Sequence, residues 1–425
     1  MQYISALTAT ISMSSSAVYG VWLSPSLSTL QSKNSPVGRP ITDEEGSWIA
    51  GLMSLAVIPA AFTESWLIEK LGRKKSLLVG GLLLLLPWFV VIFGRDIEWL
   101  YAHRFIGGMG SGMVTIACAI YIGEIAENDI RGRLGTSLIL LKQVGSLIVL
   151  TAGPYVSYTW LGIIAAIPPA TFVITFSFMP ESPYYLMKID DRSNAEKNLR
   201  TLSSKAVDDK FVQERLSEIE YSVKEDMENK TTFWEFVSKE EYRKTIYIMI
   251  GVKSLQQLSG IAAIDAYLQS IVELTTSSIS SEMSSIIFGL VQIPAVLTTS
   301  FLVDKLGRRP LLITSALGCA IALAAEGIYF YLQDKTNIEL SSLAWLPTTA
   351  LALFLIMNPL GISTLAYVLL GELFPANIKG IAVSTFTLYG GLLAFTVSKF
   401  FAPMSNAWGI HSKLKEKPSL RFKRC

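Results

Sequence analysis

Two acid–base turns carry the clearest chemistry in the chain. Leu67-Ile68-Glu69-Lys70-Leu71-Gly72-Arg73-Lys74-Lys75 and Leu302-Val303-Asp304-Lys305-Leu306-Gly307-Arg308-Arg309 share one pattern: an acid, a base, an apolar residue, a glycine and a basic pair. Glu69 and Arg73 are spaced i,i+4, as are Asp304 and Arg308, so on an unbroken helix each pair would meet on one face. A second matched set follows in the same order, Glu124 with Arg131-Gly132 and Glu372 with Lys379-Gly380. These groups can form and break ion pairs; they do not make a nucleophile or an acid–base couple. Elsewhere the adjacent amides Gln256 and Gln257 lie in the middle of an apolar stretch, which is costly unless they face a wet cavity or a partner. Asp265 lies two turns further on. It is a proton-coupling group or a hydrated rim residue, and the rim reading is preferred.

Enzyme chemistry is not indicated. His103 and His411 are the only histidines, and neither lies near a matching acid and nucleophile. Gly107-Gly-Met-Gly-Ser-Gly112 has loosely the spacing of a phosphate cradle. It lies inside an apolar stretch after Arg104, where small residues let helices approach, so packing is expected. Cys118, Cys319 and Cys425 are too few and too scattered for a disulfide framework or a metal site. No cofactor is expected.

The elements that must hold these residues are membrane helices. The 425 residues are 51% hydrophobic and only 16% charged, with mean hydropathy +0.44, whereas soluble domains carry about 25% charge. Net charge is +2, which gives no indication of nucleic acid. A spanning helix needs about 20 mostly apolar residues, and eleven such stretches are legible, at about 3–23, 46–66, 76–94, 99–122, 134–155, 159–179, 244–268, 282–303, 310–331, 344–370 and 380–402. From Gln143 to Pro180 no charge interrupts about 38 residues, too many for one span. Gly153-Pro154 offers the turn between two. The expected fold class is an all-α membrane protein built as two similar halves, since the matched turns recur at matching places.

Charge sets the orientation. Lys70, Arg73, Lys74, Lys75, Arg131, Arg133, Lys305, Arg308, Arg309 and Lys379 all follow even-numbered spans, while the opposite loops hold only Lys33, Arg39, Arg95 and Lys335. The basic turns are therefore expected in the cytosol. The expected organisation is a six-span half at 1–180, a cytosolic helical linker at 181–243, a five-span half at 244–403 and an atypical basic tail at 404–425. The Asn229 sequon would stay unused on the cytosolic side. No cleavable leader is expected.

The Leu-Gly-Arg-Lys and Leu-Gly-Arg-Arg turns, Gly123-Glu-Ile, Gly371-Glu-Leu-Phe-Pro, Pro180-Glu-Ser-Pro183 and Gln256-Gln-Leu-Ser-Gly-Ile261 together resemble the sugar-porter branch of the major facilitator superfamily. The likeness is to insect facilitated trehalose transporters and facilitative glucose transporters. It runs from about residue 5 to residue 403. The resemblance implies alternating access, a small-molecule sugar as partner, a lipid bilayer as setting, and a plasma-membrane location. It implies that Glu69, Arg73, Glu124, Arg131, Asp304, Arg308, Glu372 and Lys379 form a cytosolic gate that closes in the outward-open state. It also implies that Gln256, Gln257, Ile261, Gln292 and Tyr367 face the sugar. For Gln292, helix–helix hydrogen bonding remains an equal alternative.

Several positions depart from the family. Ala262 replaces an expected asparagine, Ile139 stands where a glutamine is common, and Gly390-Gly391 fill the place of an Asn-Trp pair. The stretch Asn358 to Tyr367 lacks the proline-rich run that usually breaks the tenth helix. The usual twelfth span is not found, and a truncated form is one expectation from this. Facilitated diffusion is favoured, because the first span has no Asp or Glu. A non-transporting sugar sensor and a proton-coupled symporter acting through Asp265 remain as rivals. Oligomeric state is not legible.

Overall fold

A computed structural model describes residues 1–203, 209–228, 233–273, 280–335, 343–374 and 376–407. The sequon at Asn229 and the chain beyond 407 fall outside the described residues. So do the side chains of Arg131, Asp304 and Lys379.

The chain is helical nearly throughout. The first half contains α1 (Gln2–Leu30), α2 (Asp43–Leu71), α3 (Arg73–Leu85), α4 (Pro87–Phe93), α5 (Ile97–Ile125), α6 (Asn128–Ala152) and α7 (Tyr158–Phe176). Short polar helices follow: α8 (Pro183–Lys188), α9 (Arg192–Leu202), α10 (Asp209–Glu228) and α11 (Phe233–Ser238). The second half contains α12 (Glu240–Leu258), α13 (Ile261–Glu273), α14 (Ser281–Leu306), α15 (Arg308–Lys335), α16 (Leu346–Leu360), α17 (Ile362–Glu372) and α18 (Ala376–Ala407). The expected turn after the fifth stretch is present between Ala152 and Tyr158. Up-and-down alternation then places the turns at Gly72, Ala126, Gly307 and Leu373 at one end, the basic end.

Eight helical rods among the described residues are long and apolar enough to cross a membrane. The stretches at α1, α6 and α12–α13 fall short of that measure. α1 is rich in serine, the apolar part of α6 covers only Ser137–Ala152, and α12–α13 is interrupted at Gly260, where φ is +86°. All three meet the other half or lie near it. α1 packs on α5, α6, α7 and α13, and α6 packs on α14. A rod surrounded by protein can keep hydroxyls that lipid would penalise, because neighbouring backbone accepts their hydrogen bonds. The Ser12 and Ser15 hydroxyls donate to carbonyls of α1 itself, at Ala9 and Ile11, whereas the Ser16 hydroxyl meets Ser111 of α5 and the Ser24 hydroxyl accepts the Gln269 N–H of α13 at 3.0 Å.

The halves meet in a crossed pattern. The second rod of the first half, α2, packs on the fifth rod of the second, α18; the fifth rod of the first, α6, packs on the second rod of the second, α14. That exchange is what a two-fold relation between halves requires. At the end away from the basic turns, the Lys399 ammonium donates to the Ser47 hydroxyl at 2.7 Å and sits 4.3 Å from the Trp48 ring centre. At the basic end, the hydroxyls of Ser65 and Ser384 lie 3.1 Å apart.

The glycine stretch in α5 packs helices together, as expected. A Cβ on Gly107 would lie 2.1 Å from the Tyr19 ring, and one on Gly108 would lie 2.5 Å from the Met53 carbonyl. The tenth rod breaks despite lacking the proline-rich run. α16 stops at Leu360 and α17 begins at Ile362. Side chains replace the lost helix bonds: the Pro359 carbonyl accepts from Thr364 at 2.6 Å and Thr299 at 3.2 Å, and the Ser315 hydroxyl accepts from the Ile362 N–H at 3.0 Å.

Candidate functional site

The basic end is built around two glycine turns. Gly72 has φ +89° and Gly307 has φ +80°, a region open to glycine at little cost. Each glycine stops a helix, so the continuous helix assumed for Glu69 with Arg73 does not exist. Arg73 opens α3 and turns to Glu124. Its Nε donates to both carboxylate oxygens at 2.9 Å and its Nη2 to Oε1 at 2.7 Å. Glu69 instead accepts from the Lys188 ammonium of α8. The same break separates Asp304 from Arg308. Arg308 donates to Glu372 from Nη2 at 2.7 Å and from Nε at 3.1 Å.

A second layer braces the first of these pairs. The Ser182 hydroxyl donates to Glu124. The Glu181 carboxylate accepts the Arg73 and Lys74 backbone N–H groups at 3.1 and 3.0 Å, capping the first turn of α3. Burial pushes the Glu181 carboxyl upward, against the Ser182 and Lys74 N–H donors and the Arg73 charge, which favour its ionised form. The Tyr185 hydroxyl donates to the Lys70 carbonyl at 3.0 Å. Glu181 and Ser182 belong to the Pro180-Glu-Ser-Pro183 segment, and Tyr185 follows it by two residues; sequence spacing marks that segment as a motif without assigning it a role. The Arg73–Glu124 pair is largely buried, with side-chain exposures of 10% and 15%; the Arg308–Glu372 pair is open, at 38% and 42%. Among the described residues every ion pair lies within one half or within the linker and its neighbouring half.

The second constellation lies mid-bundle, where α12 gives way to α13. The two glutamines have different surroundings. Gln256 is buried, accepts from the Lys253 ammonium at 3.1 Å and donates to the Ser363 carbonyl at 3.3 Å. Gln257 is half-buried, and no described group hydrogen-bonds its amide. Its Nε2 lies 3.8 Å from where a Gly390 side chain would start, an ordinary contact distance, so Gly390 leaves room for a methyl group beside it. Ile261 begins α13 and packs at the edge of the core. Gln292 accepts from Gln143 Nε2 at 3.0 Å, which is the helix–helix alternative, here between halves. Tyr367 is 47% exposed although its helix is internal, and the Lys253 ammonium sits 4.3 Å from its ring centre. The Ser254 and Tyr389 hydroxyls lie 2.7 Å apart nearby.

Lys142 and Lys253 are the residues sequence spacing left aside. Their signal was present: each is a charge inside an apolar stretch, the same property that marks Asp265. Lys142 interacts electrostatically with Asp265, Lys253 and Tyr367 across the interface between halves.

A crossed two-half helical bundle with an open polar patch at its centre and ion pairs at one end defines a membrane carrier. The family described as Sugar (and other) transporter matches residues 2–414, and the chain belongs to that family. It is a multi-pass membrane transporter and not an enzyme. The chain is 30% identical over 375 residues to a facilitated trehalose transporter Tret1 of Bombyx mori, covering 88% of this chain and 73% of that protein. It is likewise 30% identical over 391 residues to a Tret1 of Polypedilum vanderplanki, covering 92% and 77%. Among solved structures, the proton:xylose symporter XylE bound to 6-bromo-6-deoxy-D-glucose is similar with TM-score 0.78 at 20% identity, over 96% of this chain and 90% of that one. Inward-open XylE gives 0.77 at 20% identity, over 96% and 92%. At that identity the likeness shows the fold, which is the major facilitator fold.

Proposed function

We propose that this chain moves a sugar of the trehalose or hexose class down its gradient, without a cofactor, by alternating access in the plasma membrane. The basic turns and the segment 181–243 lie in the cytosol, between a first half at 1–180 and a second at 244–403. Gln257 and Tyr367 face the sugar, with Ile261 at the kink beside them. Glu69, Arg73, Glu124, Arg131, Asp304, Arg308, Glu372 and Lys379 control the cytosolic face. The observation that carries this reading is the half-buried Gln257 amide, which no described group hydrogen-bonds, in the same mid-bundle patch as the Tyr367 ring, which is 47% exposed. A sugar offers many hydroxyls to such neutral donors and acceptors and one apolar face to a ring such as Tyr367.

Uptake of radiolabelled sugars into oocytes, with trehalose and a panel of hexoses and their derivatives at two external pH values, tests it. Saturable uptake that equilibrates and does not respond to the pH gradient is expected. Accumulation driven by external acid would replace this reading with symport. A surface-expressed protein that binds but moves nothing would replace it with a sensor.

A further inference from the structure

The neutral-sugar cavity of a sugar carrier has no evident need for ammonium groups, yet two lie here. Lys253 is 3% exposed. Its ammonium meets one amide oxygen, at Gln256, and one aromatic face, at Tyr367. Among the described residues no carboxylate pairs with it. Removing an ammonium from water costs several kcal/mol unless a counter-charge and hydrogen bonds replace the water, and one amide plus a ring only partly does so. Lys142 enters from the other half, is exposed, and has no described hydrogen-bond partner for its ammonium. Its electrostatic neighbours are Lys253, Tyr367 and Asp265. The buried Lys253 ammonium therefore stands in the bundle without a counter-charge among the described residues.

The Tyr367 ring beside this ammonium is 47% exposed. A Cβ on Gly390 would find only Lys253 Cδ at 3.7 Å and Gln257 Nε2 at 3.8 Å. Both are ordinary contact distances, so a lysine stem and an amide flank the same point at Gly390, with room there for a methyl group. Gln257 offers a neutral amide to a hydroxyl, and the exposed Tyr367 ring offers a face. These groups suit a ligand that carries both hydroxyls and one negative charge.

We propose that the preferred substrate is a sugar bearing one carboxylate, a sugar acid, held by Lys253 and Lys142 while Gln257 meets its hydroxyls. The inference rests on the sugar-carrier reading and narrows it. One carboxylate supplies the single counter-charge that the buried Lys253 ammonium lacks among the described residues. Because the lysines come from different halves, the carboxylate also bridges the seam that must open and close. Binding thus acts on the state equilibrium as well as on affinity. No bond is made or broken in the substrate.

The test uses the purified full chain in proteoliposomes, with D-glucuronate as the acid probe and D-glucose and trehalose as neutral probes. Glucuronate is expected to be taken up with at least about tenfold preference over glucose, the scale of one charge-assisted contact. Its uptake is expected to rise with an inside-positive potential, since a monoanion moving alone carries charge. Lys142→Gln is expected to lower the acid-to-neutral ratio about tenfold, and Lys142→Arg to retain it. Lys142 is exposed, so these variants avoid a core defect; Lys253→Met then tests the buried group, with ligand-induced thermal shifts in detergent as a second readout. Equal or better uptake of glucose than of glucuronate in the native chain would overturn the inference and leave the sugar-carrier reading standing. A folded chain that neither binds nor moves any of the three probes would overturn both. An unchanged ratio in Lys142→Gln and Lys253→Met would assign the preference to other groups and overturn the role given to the lysines.

Discussion

Gln143 of α6 donates from Nε2 to Gln292 Oε1 of α14 at 3.0 Å, so an amide–amide hydrogen bond joins the first half to the second. It lies in one of the two crossed helix pairs that alternating access must rearrange. Each partner is only half-buried, and replacing both by leucine removes the bond without leaving a bare polar group. A double-mutant cycle on thermal unfolding in detergent is expected to give a coupling of about 0.5–1.5 kcal/mol. Zero coupling would mean that the amides touch without contributing to the seam.

The adjacent glutamines are expected to respond differently to truncation. Gln256→Ala removes the only described hydrogen-bond acceptor of the buried Lys253 ammonium and is expected to destabilise the fold by about 1–3 kcal/mol. Gln257→Ala removes a free, accessible amide and is expected to leave the melting temperature within about a degree or two while weakening substrate binding about five- to tenfold. Both quantities come from one thermal-shift titration. A stability loss at Gln257 with unchanged affinity would return that residue to a packing role.

The two arginine pairs at the basic end are also unequal. Arg73→Ala leaves Glu124, largely buried, with the Ser182 hydroxyl alone, and is expected to cost about 3–5 kcal/mol. Arg308→Ala breaks a pair that is over a third exposed on both sides and is expected to cost less than about 1 kcal/mol. Its effect should instead appear in conformational balance. Cysteine labelling from each side of the membrane, with and without Arg308→Ala, measures that balance. Identical labelling would leave Arg308 as a topology signal.

The glycine turns give a matched comparison. Alanine at either position adopts an unfavourable positive φ, costing about 1–2 kcal/mol. At Gly307 nothing lies within 4 Å of the added Cβ, whereas at Gly72 it would lie 2.5 Å from Glu181 and 2.6 Å from Tyr185. Gly72→Ala is therefore expected to destabilise more than Gly307→Ala, and to displace the Glu181 cap of α3. Glu181→Gln, which keeps the shape but removes the charge, should soften the same turn. Comparable losses at the two glycines would show that backbone strain, not the Glu181 contact, dominates.

Much of this architecture is legible along the chain. Long apolar stretches mark where rods can stand, because a bilayer accepts only helices of that length and composition. The turn at Gly153-Pro154, the close-packed glycines of α5 and the matched acid–base turns all follow from local residue types. The Gln256-Gln257 amides and Asp265 declare themselves as polar groups where lipid would penalise them. None of these readings needs knowledge of what lies across the bundle.

Pairing does need that knowledge. Glu69 and Arg73 are four residues apart, yet a positive φ at Gly72 turns Arg73 away and gives it to Glu124, 51 residues on. Glu181 becomes a helix cap only because α8 folds back onto the turn between α2 and α3. Gln292 joins Gln143 and Gln257 remains free, although both are mid-span amides. Lys253 acquires meaning only when α12 and α17 bring its ammonium over the Tyr367 ring. Helix formation is decided by interactions within a few residues, so composition and spacing record it. The partners of charged and amide side chains are decided by which helix faces meet, and packing of the whole bundle sets that.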